Sequence, residues 1–141
     1  MGPLRSHTTS RLLKRTLPSN VITNYSYDVL GRMTHVGHSL GTGAPFQSFD
    51  YTYDAVGNRL QVLEADGSKT QWAYDAVYQL TLEVAVNGSG TTTRASAFTY
   101  DPAGNLLTRT DNGVATNYQY NSVDQLLSAE PGPTPTMRGA I

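Results

Sequence analysis

The chain has 141 residues, of which 38% are hydrophobic and 15% charged, and its formal net charge is −1. This near-neutral balance gives no reason to expect nucleic acid or an anionic membrane as a partner. The absence of cysteine excludes disulfides and thiolate metal sites, and no apolar run approaches the ~18 residues of a membrane span. The 13 glycines, 7 prolines and 9 tyrosines are instead typical of β structure with many turns.

The N-terminal segment is basic but has no apolar stretch behind its charges, so no signal peptide is predicted. Residues 1–10 are predicted to form a flexible end. The segment SRLLKRT from Ser10 aligns with GNLLTRT from Gly104, and this register places Ser6 where other copies of a repeat have tyrosine. A degenerate first copy is therefore predicted, which keeps its second strand and has lost its tyrosine.

Five copies of a short motif follow, each with an aromatic residue, any residue, tyrosine, and then Asp or Asn. The copies read YSYDVLGRM from Tyr25, YTYDAVGNR from Tyr51, WAYDAVYQL from Trp72, FTYDPAGNL from Phe98 and YQYNSVDQL from Tyr118. Their motif tyrosines are Tyr27, Tyr53, Tyr74, Tyr100 and Tyr120, which are separated by 26, 21, 26 and 20 residues. This alternation indicates a structural period of two copies, about 47 residues.

Each copy is predicted to form a β-hairpin. Aromatic residues two apart lie on one face of a strand, because side chains alternate along it. The following Asp or Asn begins a tight turn, and glycine at the fourth turn position suits the left-handed conformation that closes a hairpin with a bulge. The predicted structural positions are Tyr27, Asp28, Gly31, Tyr53, Asp54, Gly57, Tyr74, Asp75, Tyr100, Asp101, Gly104, Tyr120 and Asn121.

Two copies lack the turn glycine and have Tyr78 and Asp124 in its place. Because a bulky tyrosine is strained at positive φ, the turn at Tyr78 is predicted to be rearranged.

The predicted fold class is all-β: tandem antiparallel β-hairpins stacked into a curved sheet or partial spiral shell, with one aromatic face and one wetter face. The array is predicted over residues 11–130, and residues 131–141 are predicted to be a disordered tail rich in Pro and Gly. The hairpins are expected near residues 25–40, 46–66, 69–87, 91–112 and 114–130.

The motif Tyr-Asp-x-x-Gly-Arg or Asn-Leu resembles the YD repeat of the Rhs family, which includes bacterial polymorphic toxins, shell subunits of insecticidal toxin complexes and animal teneurins. The resemblance covers about residues 11 to 130. It implies hairpins that coil into a hollow shell around a C-terminal toxin cargo. It also implies a secreted or cell-surface parent protein, which bacteria commonly deliver with a secretion spike.

Five or six copies are too few to enclose a protein, so the chain is predicted to be a segment of such a repeat array. Its partners are then the rest of the parent shell protein and its toxin cargo. The unpaired terminal strands of so short an array also predict edge-to-edge self-association.

The sequence predicts no enzyme activity, no cofactor and no metal site. The Tyr-Asp pairs recur at one turn position, which is typical of a structural role rather than acid–base catalysis. His35 and His38 lie three apart on a predicted strand and therefore face opposite sides. Asp50 and Asp54 lie on one strand, but no further carboxylates accompany them to form a calcium site.

Two functions remain open. The leading hypothesis is a structural segment of a shell that encapsulates a toxin for delivery to other cells. The alternative is a carbohydrate-binding or adhesion module, in which Trp72, Tyr74 and Phe98 stack on sugar rings. The two differ in where these aromatic residues lie: packed inside the sheet stack, which is the favoured position, or in a contiguous exposed patch.

Overall fold

The computed structural model describes residues 11–132. This part of the chain is all β. Among these residues there is no helix that could span a membrane. The strands are β1 (Lys14–Thr16), β2 (Val21–Tyr27), β3 (Met33–Leu40), β4 (Pro45–Tyr53), β5 (Arg59–Glu64), β6 (Lys69–Tyr74), β7 (Leu80–Val86), β8 (Thr92–Tyr100), β9 (Leu106–Asp111), β10 (Val114–Tyr120) and β11 (Leu126–Pro131).

The eleven strands form one sheet in which every strand is antiparallel to its neighbours in the sequence. The sheet is open and uncurled, with β1 and β11 as its two edges. The predicted all-β fold of tandem antiparallel hairpins is confirmed.

Strict up-and-down order places the turns in two rows at opposite ends of the strands. We call the row of turns that begin at Asp28, Asp54, Asp75, Asp101 and Asn121 the motif rim. The opposite row, called the linker rim, connects one copy to the next through residues 17–20, 41–44, 65–68, 87–91 and 112–113.

The turn at Asp54 illustrates how the motif closes each hairpin. The Asp54 N–H donates to the Asn58 carbonyl at 2.9 Å, and the Gly57 N–H donates to the Asp54 carbonyl at 3.3 Å. Asp54 Oδ1 also accepts the N–H groups of Val56 at 3.1 Å and Asn58 at 2.8 Å. Gly57 has φ 104°, the left-handed conformation predicted for this position.

The prediction that the third turn is rearranged was wrong. Tyr78 adopts φ 67°, and its N–H donates to the Asp75 carbonyl at 3.1 Å. The N–H groups of Val77 and Gln79 each donate to Asp75 Oδ1 at 2.9 Å. These bonds hold the turn, and the ring of Tyr78, which is 58% exposed, extends into solvent and so avoids a clash.

Replacing Tyr78 with Gly is expected to raise the free energy of unfolding by about 1 kcal/mol, because it removes the strain of a side chain at positive φ. The measurement is the urea midpoint of the far-ultraviolet circular dichroism signal. Val77→Gly is the control, since Val77 is not at positive φ and its replacement only adds backbone entropy to the unfolded chain. A stabilising effect of Val77→Gly as large as that of Tyr78→Gly would contradict the explanation.

The sheet is a single layer, and among the described residues no hydrophobic side chain is buried. The buried residues are Thr23, Gly37, Ser39 and Ser96. A lone sheet has no second layer against which its faces can pack. Its larger side chains are therefore covered only by neighbours on the same face, and the aromatic residues do not form the interior core that the sequence favours.

The sequence predicts that the face opposite the motif aromatics is polar, but part of this face is aliphatic. Leu82 lies beside Ala97 and Val84 beside Ala95 on this face, and Leu82 is 41% exposed. The prediction was wrong here because it rested on the first strand of each hairpin, whereas Leu82 and Val84 lie on β7, the second strand of its hairpin.

Candidate functional site

The hydroxyl groups of four of the five motif tyrosines, Tyr27, Tyr53, Tyr74 and Tyr100, join their copy to the one before it. Tyr53 donates to the Met33 carbonyl at 2.7 Å, and Tyr100 donates to the Leu80 carbonyl at 2.8 Å. Tyr27 and Tyr74 donate in the same way to the carbonyls of Leu12, at 3.0 Å, and Arg59, at 2.9 Å.

The acceptor is always the sixth residue after the tyrosine position of the preceding copy. Leu12 is the sixth residue after Ser6, so the degenerate first copy supplies its acceptor at the expected place. Ser6 itself lies outside the described residues. The acceptor at Leu12 supports the register that was used to identify this copy.

A β-bulge accompanies every motif tyrosine. The register shifts between Thr52 and Tyr53, so that Tyr53 lies opposite Arg59 and Leu60 is the extra residue of β5. The same shift occurs beside Tyr27, Tyr74, Tyr100 and Tyr120. Each bulge therefore re-aims the start of the second strand in the same way.

Arg32 links two neighbouring turns of the motif rim. Its Nε donates to Asp28 Oδ2 at 2.6 Å and its Nη1 to the Asp54 carbonyl at 2.7 Å. The guanidinium carbon also lies 4.9 Å from the ring centre of Tyr53, within the range of a cation–π interaction. The side-chain hydrogen bond from Arg32 holds the pKa of Asp28 below its usual value.

Asn105 makes the equivalent link three copies further along, between the fourth and fifth motif turns. Its Nδ2 donates to Asp101 Oδ2 at 3.0 Å and to Asp124 Oδ1 at 2.8 Å. The side-chain hydrogen bond from Asn105 also lowers the pKa of Asp101. These carboxylates are committed to the backbone and side chains of the turns, which leaves them poorly suited to proton transfer.

The aromatic face has a shallow depression of about 440 Å³ between the second and third motif copies. Its lining residues are Tyr53, Gly57, Asn58, Arg59, Trp72, Tyr74 and Leu80. The guanidinium of Arg59 lies between two rings, 5.0 Å from the centre of Tyr51 and 5.7 Å from that of Trp72. Trp72 Nε1 donates to Glu83 Oε2 at 2.8 Å, and desolvation raises the pKa of the Tyr74 phenol.

Of the three residues predicted to stack on sugars, the structure brings two together. Trp72 and Tyr74 are half-buried and line the depression, whereas Phe98, also half-buried, lies two strands away on β8 and outside this lining. Sequence reasoning missed Arg59 and the linking residues Arg32 and Asn105. The signal for the linking residues is the Arg, Asn or Gln that follows the fourth turn position in the copies.

The histidines lie apart. His35 Nδ1 is 2.7 Å from Asp50 Oδ1 on one face, and His38 Nδ1 is 3.0 Å from Thr23 Oγ1 on the other. Within residues 11–132, no group of three or more His, Cys, Asp or Glu side chains is arranged to hold a metal ion.

Comparisons with known proteins agree with this repeat geometry. The family model described as RHS Repeat matches residues 53–92. No curated protein sequence matches the chain.

Several solved structures share the fold. The TcdB2-TccC3-TEV crystal structure is 23% identical with a TM-score of 0.75. TcdB2-TccC3 without its hypervariable C-terminal region is 24% identical with a TM-score of 0.76. The Tc holotoxin pore of Photorhabdus luminescens is 22% identical with a TM-score of 0.75.

Each of these matches covers 86% of this chain but only 6% of the matched chain. The chain thus spans a small part of the length of the proteins that it resembles, and at this identity the likeness shows the fold. The family match at residues 53–92 lies inside an unbroken series of equivalent hairpins, and it confirms the resemblance to the Rhs family that the Tyr-Asp motif predicts.

Proposed function

We propose that the chain is a wall segment of an Rhs-type shell that encloses a toxin cargo, and that it has no catalytic activity of its own. The observation that carries this proposal is the open single-layer sheet, which has unpaired edges at β1 and β11 and no buried hydrophobic side chain among the described residues. Such a strip gains stability when further hairpins continue it at either edge.

The partners in this proposal are the remainder of the parent shell and its toxin cargo. One matched structure is a Tc holotoxin pore, which supports a parent protein that is secreted or held at the cell surface. Delivery to another cell by a secretion spike belongs to the same proposal.

Carbohydrate binding is a second candidate, supported by the depression that Trp72 and Tyr74 line. Sugar stacking requires a free aromatic face, yet Arg59 lies over one face of the Trp72 ring. The indole N–H of Trp72, which could donate to a sugar hydroxyl, is already bonded to Glu83. These contacts favour a structural use of the aromatic residues.

Size-exclusion chromatography with light scattering measures the oligomeric state of the chain and so tests whether it is a wall segment. The purified chain is expected to associate as its concentration rises, because β1 and β11 are the edge strands of the sheet formed by residues 11–132. Leu127→Lys should reduce this association, since Leu127 lies on the edge strand β11 and is 64% exposed. Electron microscopy of the associated fraction is expected to show β-sheet strips.

Leu60→Lys is the matched control, because Leu60 occupies the same bulge position on the internal strand β5. It should leave the association unchanged. The proposal that the chain is a wall segment would be refuted if the chain were a monomer at all concentrations and melted cooperatively. If it also bound a glycan, and Trp72→Ala abolished that binding, the chain would be a carbohydrate-binding module.

A further inference from the structure

The motif rim presents a row of apolar side chains to solvent. The two central residues of each motif turn are exposed, and nine of these ten are apolar, with Ser122 as the exception. Val29 is 100%, Val77 70% and Val56 60% exposed. The apolar tip residues are Val29, Leu30, Ala55, Val56, Ala76, Val77, Pro102, Ala103 and Val123.

The turns themselves do not require these residues. The third position of a type I turn is compatible with most residues, but β-branched side chains have few rotamers there and gain nothing from exposure. The linker rim instead uses the residues that turns prefer, such as Ser19, Asp66, Ser89 and Asn112. The exposed apolar residues therefore occur at the motif rim and not at the linker rim, although turn formation does not require them. This difference between the rims indicates that the motif rim is a contact surface.

The motif rim carries negative charge, which indicates what kind of partner it can bind. The five turns contain one cation, Arg32, which pairs with Asp28, and the other four carboxylates leave the rim acidic. The carboxylates are those of Asp28, Asp54, Asp75, Asp101 and Asp124. The pKa values of Asp28 and Asp101 are lowered by hydrogen bonds from Arg32 and Asn105, so these groups are ionised at neutral pH. An acidic rim disfavours both the same rim of a second copy and an anionic bilayer, and it favours a basic partner.

The spacing of the tips indicates the shape of that partner. Neighbouring strands lie about 4.8 Å apart, so successive motif turns, two strands apart, repeat at roughly 9.6 Å. An α-helix repeats every seven residues at about 10.5 Å. Over three successive tips the two spacings agree closely enough for side chains seven apart on one helix to contact every tip.

We propose that the motif rim binds a basic amphipathic helix of a partner protein. Its apolar residues, seven apart, contact the tips at Leu30, Val56 and Val77, and its Lys or Arg side chains lie against the turn carboxylates. This assignment concerns the rim and is independent of the edges β1 and β11, where neighbouring hairpins would join.

The test is fluorescence anisotropy of a labelled synthetic 21-residue peptide, with Leu at the first and fourth positions of each seven and Lys beside them, titrated with the full chain. Tight binding is expected, and Val56→Ser with Val77→Ser should weaken it at least tenfold. Val114→Ser is the matched control, because Val114 is 55% exposed and lies outside the motif rim. This control should bind the peptide as the unchanged chain does.

Two further peptides separate the proposed contact from simple charge attraction. A peptide of the same composition, permuted to break the seven-residue period, should bind at least tenfold more weakly, and one with Glu in place of Lys should not bind. Equal binding of either peptide, or unchanged binding by the double serine variant, would overturn the proposal. The double serine variant is expected to fold, because serine is common at these turn positions. The two comparison peptides test the proposal with the unchanged chain.

Discussion

Replacing Gly88 with Ala is expected to lower the free energy of unfolding by about 2 kcal/mol, the middle of the range for overpacking. A Cβ atom at Gly88 would overlap the carbonyl oxygen of Asp66, in the neighbouring turn of the linker rim. The obstacle is backbone rather than a flexible side chain, so one of the two turns must move. The measurement is the urea midpoint of the far-ultraviolet circular dichroism signal.

Ser89→Ala is the control in the same turn. Ser89 is exposed, and its hydroxyl donates to Asn87 Oδ1 at 2.7 Å. The loss of this exposed hydrogen bond is expected to lower the free energy of unfolding by only ~0.5 kcal/mol. Equal effects of the two substitutions would mean that the turns at Asp66 and Gly88 are not packed together in solution.

Removing the hydroxyl group of Tyr53 is expected to cost about 1 kcal/mol, and removing the whole side chain about 3 kcal/mol. Tyr53→Phe leaves the Met33 carbonyl without the hydrogen bond that the hydroxyl donates at 2.7 Å. Tyr53→Ala also removes the ring on which the Arg32 guanidinium lies. Chemical denaturation of both variants separates the two contributions.

Tyr78→Phe removes the same hydroxyl from a tyrosine that is 58% exposed, and it should leave stability within ~0.5 kcal/mol of the unchanged chain. If Tyr53→Phe were equally neutral, the hydroxyl bonds between copies would contribute nothing to the stability of the sheet.

Much of the fold can be predicted from the sequence because the hairpin is a local structure. The motif Asp, the glycine three residues later and the alternating aromatics all act within one copy, as Asp54 and Gly57 illustrate. The exception is Tyr78, where the hydrogen bonds of the Asp75 turn outweigh the backbone preference of a tyrosine. Propensity alone does not reveal that balance.

The candidate site was less predictable because its contacts join different copies. Arg32 reaches the Asp54 carbonyl across a distance of 22 residues in the sequence, and Arg59 on β5 lies between aromatic rings of β4 and β6. Neither contact follows from spacing within a copy. Likewise, whether Trp72 is buried depends on whether a second layer covers its face, which side-chain alternation does not determine.

The direction of the tyrosine bonds has a consequence for synthesis on the ribosome. Each hydroxyl donates to a carbonyl that lies 15 or 20 residues earlier in the chain, never later. The acceptor has therefore always been translated when its donor emerges, and each strand contacts only its neighbours in the sequence. The sheet can grow one hairpin at a time from its N-terminal end, and no hairpin has to wait for residues not yet made.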